Sequence, residues 1–210
     1  MKNYGNTFNK STQDYPVNKV PTWLFVDELY PAGCTLNGYP QGETIPAGTP
    51  VNVAKMGAEA TILETFEVVG AVTAEGTSVV LKSVGGAVNP AKDMVVGKIG
   101  SNGIIAKAVK LPAATSVGSG DHAGEYTFAI TANSLGALSD GDILVMADAT
   151  ASGSNKSPLF PTGLLYEEVY IGNVGATGTI VTKGQVLADR IAAIPAAYKP
   201  YLTNITFVNE

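Results

Sequence analysis

The chain has 210 residues and a net charge of −5, and only 15% of its residues are charged, against roughly 25% in an ordinary globular domain. Its Lys and Arg residues occur singly, so no basic stretch is present that would bind nucleic-acid phosphates or an anionic membrane surface. No apolar run approaches the roughly 20 residues that span a bilayer, and the polar N-terminus lacks the apolar stretch of a signal peptide.

Glycine and proline indicate the fold class. The chain contains 24 Gly and 12 Pro, scattered among Val, Ile and Thr, and 45% of its residues are hydrophobic. Such a pattern predicts many turns between short strands around a substantial core. We therefore expect an all-β protein. The low charge and the many small residues also suit a protein whose surface is partly covered by partners.

The first twenty residues, Met1–Val20, are polar and show no periodicity. They predict an extended arm that is either disordered or ordered only against a partner. Three spaced aromatic residues, Tyr4, Phe8 and Tyr15, favour docking, since a purely solvating tail needs none.

The first apolar cluster is Pro21–Tyr30, which contains the only tryptophan, Trp23. It fits a strand or one helical turn. Further on, Pro46 presets φ and Gly48 permits a positive φ, so the sequence predicts a tight turn leading into a strand at Val51–Lys55.

The middle of the chain shows short apolar segments separated by turn residues, at a spacing typical of a sandwich or barrel. The predicted strands are Ile62–Gly70 with Ala71–Glu75 continuing it, Ser78–Ser83 pairing back as a hairpin, Met94–Gly97, Gly103–Leu111, Glu125–Thr131 and Ile143–Ala147.

The last third continues this pattern. It predicts strands at Leu164–Ile171, Thr179–Lys183, Gly184–Ala188 and Asn204–Val208, a turn at Gly175–Gly178, and a short helix that begins at Pro195 and is limited by Pro200. Four tyrosines lie here: Tyr166, Tyr170, Tyr198 and Tyr201. Core and subunit contacts are favoured for them over a sugar-binding platform, which stays open as an alternative.

Residues that carry chemistry are sparse. Cys34 and His122 are the only cysteine and the only histidine, and they lie far apart in the sequence, so neither a zinc site nor a thiol–imidazole pair is expected. Cys34 is interpreted as a small packing residue. Because it has no disulfide partner in the chain, it fits synthesis in a reducing compartment.

Two carboxylate pairs are candidates for the acids of a hydrolase site. Asp140 and Asp142 flank a glycine at a turn, where Asp is favoured by local hydrogen bonding. Glu167 and Glu168 are neighbours on a predicted strand and would point to opposite faces. The glycine-rich run Gly97–Gly103 lies between strands and indicates a hairpin turn rather than a phosphate loop. We expect no catalytic residue, no metal, no cofactor and no enzymatic activity.

Two blocks carry a resemblance to a known family. One is Ile45–Val53 (IPAGTPVNV). The other is Pro161–Ile171 (PTGLLYEEVYI) followed by Gly178–Ile191 (GTIVTKGQVLADRI). Together they resemble the lambda-type capsid (head) decoration proteins of tailed bacteriophages, and the closing stretch also resembles phage head fibre proteins. The resemblance does not reach the residues between the blocks.

The resemblance implies a β-tulip-like base domain formed by residues 21–60 and 158–210, with a short C-terminal helix. Residues 61–157 would be an inserted sandwich- or barrel-like β module, and residues 1–20 a capsid-binding arm. The protein would be a homotrimer that binds the major capsid protein on the outer surface of the virion, after synthesis in the host cytoplasm. The expected capsid-binding residues are Tyr4, Phe8, Tyr15 and Trp23, and the expected trimer contacts are Tyr166, Tyr170, Tyr198 and Tyr201.

Three function classes follow from the sequence. The first is a virion structural protein, either a decoration protein or a head fibre protein, that stabilises the shell. The second is a module of a phage fibre that binds host glycans or another host surface. The third, an enzyme such as a polysaccharide hydrolase, needs convergent acids that the sequence does not display.

Overall fold

The computed structural model describes residues 22–31, 33–36, 42–54, 59–85, 93–148, 157–172 and 176–209. This part of the chain is mostly β, and none of its helices reaches seven residues, which confirms the predicted all-β class. In chain order the described strands are β1 (Trp23–Leu29), β2 (Cys34–Leu36), β3 (Thr44–Ile45), β4 (Pro50–Val53), β5 (Glu59–Ile62), β6 (Thr65–Val68), β7 (Ser78–Gly85), β8 (Val95–Ile99), β9 (Ile105–Lys110), β10 (Ser116–Val117), β11 (Glu125–Ala129), β12 (Ile143–Met146), β13 (Gly163–Leu165), β14 (Val169–Tyr170), β15 (Ala176–Gly178), β16 (Ile180–Leu187) and β17 (Ile205–Val208).

The strands form two large sheets and a small one. The eight-stranded sheet has the order β1-β16-β13-β4-β5-β2-β15, and β17 pairs with β16 beside this path. The seven-stranded sheet has the order β10-β11-β7-β6-β12-β8-β9, and β3 pairs with β14. The neighbours are antiparallel except for β16–β17 and β2–β5, which are parallel.

Every strand of the seven-stranded sheet lies between Thr65 and Met146, whereas the eight-stranded sheet takes its strands from both sides of that interval. The chain crosses from one sheet to the other at Leu63 and Glu64, both fully buried. The prediction of one strand over Ile62–Gly70 was therefore wrong. Leu63 still donates its backbone N–H to the carbonyl of Pro50 at 2.9 Å, and from Thr65 the chain pairs with β12 instead.

Alternation within the seven-stranded sheet builds its own core. Tyr126 and Phe128 on β11 are buried on one face, as the alternating pattern predicts, and β7 pairs back on β6 as the predicted hairpin. The large side chains of this core are Phe66, Val68, Val79, Leu81, Val96, Leu111, Tyr126, Phe128, Leu135, Leu138 and Leu144.

A second cluster joins the two sheets. Val95, Ile105 and Val145 point from the opposite face of the seven-stranded sheet and pack with Leu63 and with Tyr198, which lies between β16 and β17. The segment before β17 therefore covers part of the seven-stranded sheet, and the two sheets share buried surface. No pattern in the sequence predicted this contact.

Three further predictions need correction. Gly175–Gly178 was predicted as a turn, but Ala176–Gly178 is strand β15, paired with β2. Ala71–Glu75 does not continue a strand, and of its residues only Val72 forms an isolated bridge, to Leu138. The predicted helix from Pro195 is reduced to the 3-10 turn Lys199–Tyr201, because the two prolines leave too few residues for a stable α-helix.

Candidate interaction surface

Strand β1 forms one end of the eight-stranded sheet. It is seven residues long and pairs with β16 on one side, and no described strand pairs with its other side. The other sheet ends differ: β15 and β10 are only three and two residues long, and β9 carries Lys107 and Lys110. Short length and lysines are devices that protect a sheet edge from pairing with other chains. Strand β1 is the long edge on which large apolar residues are exposed.

Irregular pairing explains which side chains β1 exposes. Between Trp23 and Phe25, and again between Val26 and Glu28, two steps along β1 oppose a single step along β16. These bulges place consecutive residues on the same side of the strand. As a result Leu24 and Phe25 are 53% and 55% exposed, while Trp23 and Val26 are only partly exposed.

The exposed side of β1 has an apolar and an acidic part. Its apolar part is the pair Leu24 and Phe25, and its acidic part is Asp27 and Glu28, followed by Leu29 at 45% exposure. We call the side chains of these five residues the β1 surface. Exposed apolar groups of this size, placed side by side on a free edge, are typical of a site that another molecule covers.

The side of β1 that faces β16 is fixed by a hydrogen bond, by packing and by close backbone contact. Trp23 donates its indole Nε1–H to the backbone carbonyl of Tyr166 at 2.8 Å and packs on a cluster that includes Leu164, Val186 and Leu202. A Cβ at Gly184 would come within 2.6 Å of the carbonyl of Phe25, so only glycine lets the bulged backbone of β1 lie this close to β16. The β1 surface is therefore displayed on a fixed strand.

Charge on the β1 surface is partly balanced from β16. Lys183 forms an ion pair with Asp27, and this hydrogen bond, together with the attraction of the carboxylate, raises the pKa of Lys183. Glu28 is exposed beside this pair and adds a second negative charge. The acidic part of the surface thus keeps net negative charge at neutral pH.

The residues expected to bind capsid are only partly described. Trp23 lies on β1 with its ring turned toward the sheet core, so its neighbours Leu24 and Phe25, which the sequence analysis did not single out, provide the exposed apolar surface. A signal for them was present, because Trp23–Leu29 has adjacent apolar residues where strict alternation would place a polar one. Tyr4, Phe8 and Tyr15 lie outside the described residues, as does the predicted arm.

The four tyrosines expected at subunit contacts lie in different surroundings. Tyr166 is exposed next to Trp23, and Tyr170 is exposed on β14. Tyr201 is half exposed and stacks on Phe160, with ring centroids 3.7 Å apart. Tyr198 has no exposed surface, and burial raises its pKa, so it is a core residue and cannot serve as the predicted subunit contact.

The two carboxylate pairs do not form a shared acid site in the structure. Asp142 accepts a hydrogen bond from the backbone N–H of Ser139 at 2.8 Å, which confirms the predicted local bonding for this residue. Asp140 instead accepts its bond, at 2.7 Å, from the backbone N–H of Gly70, which is distant in the sequence. Glu167 and Glu168 lie in the bend between β13 and β14, not on a strand as predicted, and both are exposed.

Cys34 and His122, the candidate nucleophile and base, each have a different hydrogen-bond partner. The Cys34 thiol is buried, which raises its pKa, and it donates to the carbonyl of Gly178. On an exposed turn, Nδ1 of His122 lies 3.0 Å from Oε2 of Glu125. The residues from Gly100 to Gly103 form the predicted hairpin turn between β8 and β9.

Within the described residues, no group of three or more His, Cys, Asp or Glu side chains is placed to hold a metal ion. Nor does any helix in that part of the chain combine the length and apolar character needed to cross a membrane. Comparison of the chain with family models, with curated proteins and with solved structures found no match in any of the three.

Proposed function

We propose that the protein is a structural component of a tailed-phage virion that binds the outside of the capsid as a decoration or head fibre protein. In this proposal residues 21–60 and 158–210 form a β-tulip-like base, residues 61–157 an inserted module and residues 1–20 an arm. The protein acts as a homotrimer that stabilises the shell by contacting the major capsid protein.

The positions of the two resembling blocks support this proposal. Strand β4 comes from the first block, and β13 and β16 come from the second. In the eight-stranded sheet these three strands are consecutive neighbours, with Gly163 opposite Val51 and Leu165 opposite Ile180. Segments that are far apart in sequence thus form one continuous piece of sheet. All strands of the seven-stranded sheet come from the residues between the two blocks.

The observation that carries the proposal is the β1 surface. Burying a leucine or phenylalanine side chain that was exposed stabilises a complex by about 1.5–3 kcal/mol. Leu24 and Phe25 together therefore offer a useful but modest contact per copy. A trimer carries three such contacts. Once the first has formed, the other two form at high effective concentration, so the overall affinity is much higher than that of one contact. Because the assembled shell alone presents all three partner sites, binding stabilises that shell by mass action.

A binding experiment tests the function. Empty shells of the encoding phage that lack this protein are mixed with the full-length chain, and the bound fraction is measured by co-sedimentation. The wild-type protein is expected to sediment with the shells. The double variant Leu24→Ser/Phe25→Ser should bind at least about tenfold more weakly, because it loses most of the apolar contact.

A matched control separates this site from apolar surface in general. Val117 on β10 is 63% exposed and belongs to the seven-stranded sheet, so Val117→Ser should leave shell binding unchanged. Failure of the wild-type protein to bind shells would overturn the proposed function. If it then bound immobilised glycans, the host-surface alternative would replace it.

A further inference from the structure

The β1 surface and the segment that precedes it are complementary in charge. Residues 1–21 contain Lys2, Lys10 and Lys19 but a single acid, Asp14, whereas the whole chain has a net charge of −5. The acidic excess therefore lies after residue 21, and part of it is the exposed pair Asp27 and Glu28 on β1. Basic charge thus comes immediately before an acidic edge strand.

The two regions also match in apolar character. The segment carries three aromatic side chains, Tyr4, Phe8 and Tyr15, and the β1 surface exposes Leu24 and Phe25. A free strand edge offers unpaired backbone N–H and C=O groups in addition. A peptide with aromatic and basic residues can satisfy all three features of this edge: its apolar pair, its acids and its backbone groups.

From this complementarity we infer that residues 1–21 dock on the β1 surface of their own chain when the protein is free in solution. The segment is joined directly to Thr22, and β1 begins at the next residue, so the covalent connection ties the C-terminal end of the segment to β1. Strand β1 spans about 23 Å at roughly 3.3 Å per residue, a length that seven or eight extended residues cover. Asn18 and Pro21 are residues that favour a reversal of direction between the segment and β1.

Docking within one chain costs little entropy, since the connection keeps the two parts at high effective concentration. One consequence rests on the proposed function: on the capsid, the segment and the shell compete for Leu24 and Phe25. The docking itself requires no capsid.

Hydrogen exchange measured by mass spectrometry on the free, full-length protein tests the inference. The amides of β1 that face away from β16 should exchange about tenfold more slowly in the full chain than in a chain that lacks residues 1–21. The variant Lys10→Glu/Lys19→Glu, which keeps the segment at full length, should lose this protection. Adding Asp27→Lys/Glu28→Lys to that variant should restore it.

The matched control is Lys107→Glu/Lys110→Glu, which reverses two charges on the distant edge strand β9 and should leave exchange in β1 unchanged. Equal exchange of β1 with and without residues 1–21 would overturn the inference. So would protection that rises with protein concentration, because that behaviour assigns the contact to a second copy. No shell is present in this experiment, so its failure would leave the capsid proposal standing, and a failure of shell binding would leave the docking standing.

Discussion

Gly48 is required by two separate constraints, one on its backbone and one on the space around its Cα. It has a φ of +78°, as the predicted turn requires, and a Cβ at this position would lie 2.1 Å from Cγ2 of Ile191. The first constraint is local and readable from Pro46 and Gly48. The second depends on Ile191, which approaches only in the folded protein and could not be predicted.

Gly48→Ala is therefore expected to lower the free energy of unfolding by about 2–5 kcal/mol, the sum of left-handed backbone strain and overpacking. Gly42→Ala is the matched control, because Gly42 also has a positive φ, +94°, but open space around its Cβ. Gly42→Ala should cost only about 1–2 kcal/mol. Urea unfolding measures both, and equal losses would contradict the role given to Ile191.

Tyr198 is the residue whose predicted role changed most. Its ring is fully buried, and its hydroxyl has no hydrogen-bond partner among the described residues. A buried hydroxyl without a partner costs free energy. Tyr198→Phe should therefore leave the stability unchanged or raise it by about 1 kcal/mol, whereas Tyr198→Ala should lower it by about 3–5 kcal/mol. A loss of more than 1 kcal/mol in the phenylalanine variant, by chemical unfolding, would show that the hydroxyl is bonded.

At the scale of elements, short strands with clean alternation were predictable and irregular ones were not. Glu125–Ala129 alternates, so its period-two pattern was visible without the structure. Strand β1 does not alternate, because its bulges turn neighbouring residues to the same side, and the sequence left open whether it was a strand or a helical turn. The glycines of Gly175–Gly178 predict a turn, and it is the pairing with β2 that makes Ala176–Gly178 a strand.

The turn before β12 gives a pH-dependent prediction. Lys98 on β8 donates to both carboxylate oxygens of Asp142 at 2.7 Å, and this bond, helped by the Ser139 N–H, lowers the pKa of Asp142. A carboxyl group whose pKa is lower in the folded state stabilises the fold above its unfolded pKa of about 3.9 and loses that contribution as the pH falls through the folded value.

We therefore expect part of the stability to be lost as the pH falls below about 4. Asp142→Asn should be less stable than the wild type at pH 7 and should show a smaller loss on acidification. Thermal unfolding at a series of pH values measures this. An identical pH dependence in both proteins would contradict the contribution of the Lys98–Asp142 pair.

For the whole molecule, the cluster around Tyr198 packs the two large sheets together, so we expect them to unfold as one cooperative unit. Because Val95, Ile105 and Val145 are covered by a segment outside the seven-stranded sheet, unfolding either sheet exposes buried surface of the other. Tryptophan fluorescence, which reports the eight-stranded sheet through Trp23, and far-UV circular dichroism, which reports both sheets, should give one common midpoint. Two separate transitions would show that the sheets unfold independently.

The change of sheet along the chain follows from pairing rather than from any single segment. The chain leaves the eight-stranded sheet at Ile62–Thr65 and returns to it after Met146. The contact between the sheets was not visible, since it depends on which side of a strand faces a distant loop. The exposed pair on β1 was missed for the same physical reason, because bulges are set by pairing with β16.

We propose that this protein attaches to the outer surface of a phage capsid through β1. The most direct measurement is a cryo-electron microscopy reconstruction of shells that lack the protein and have been incubated with the purified full-length chain. Added density is expected on the outer surface, with Leu24 and Phe25 against the major capsid protein. Density in which β1 faces solvent, or shells without any added density, would contradict it.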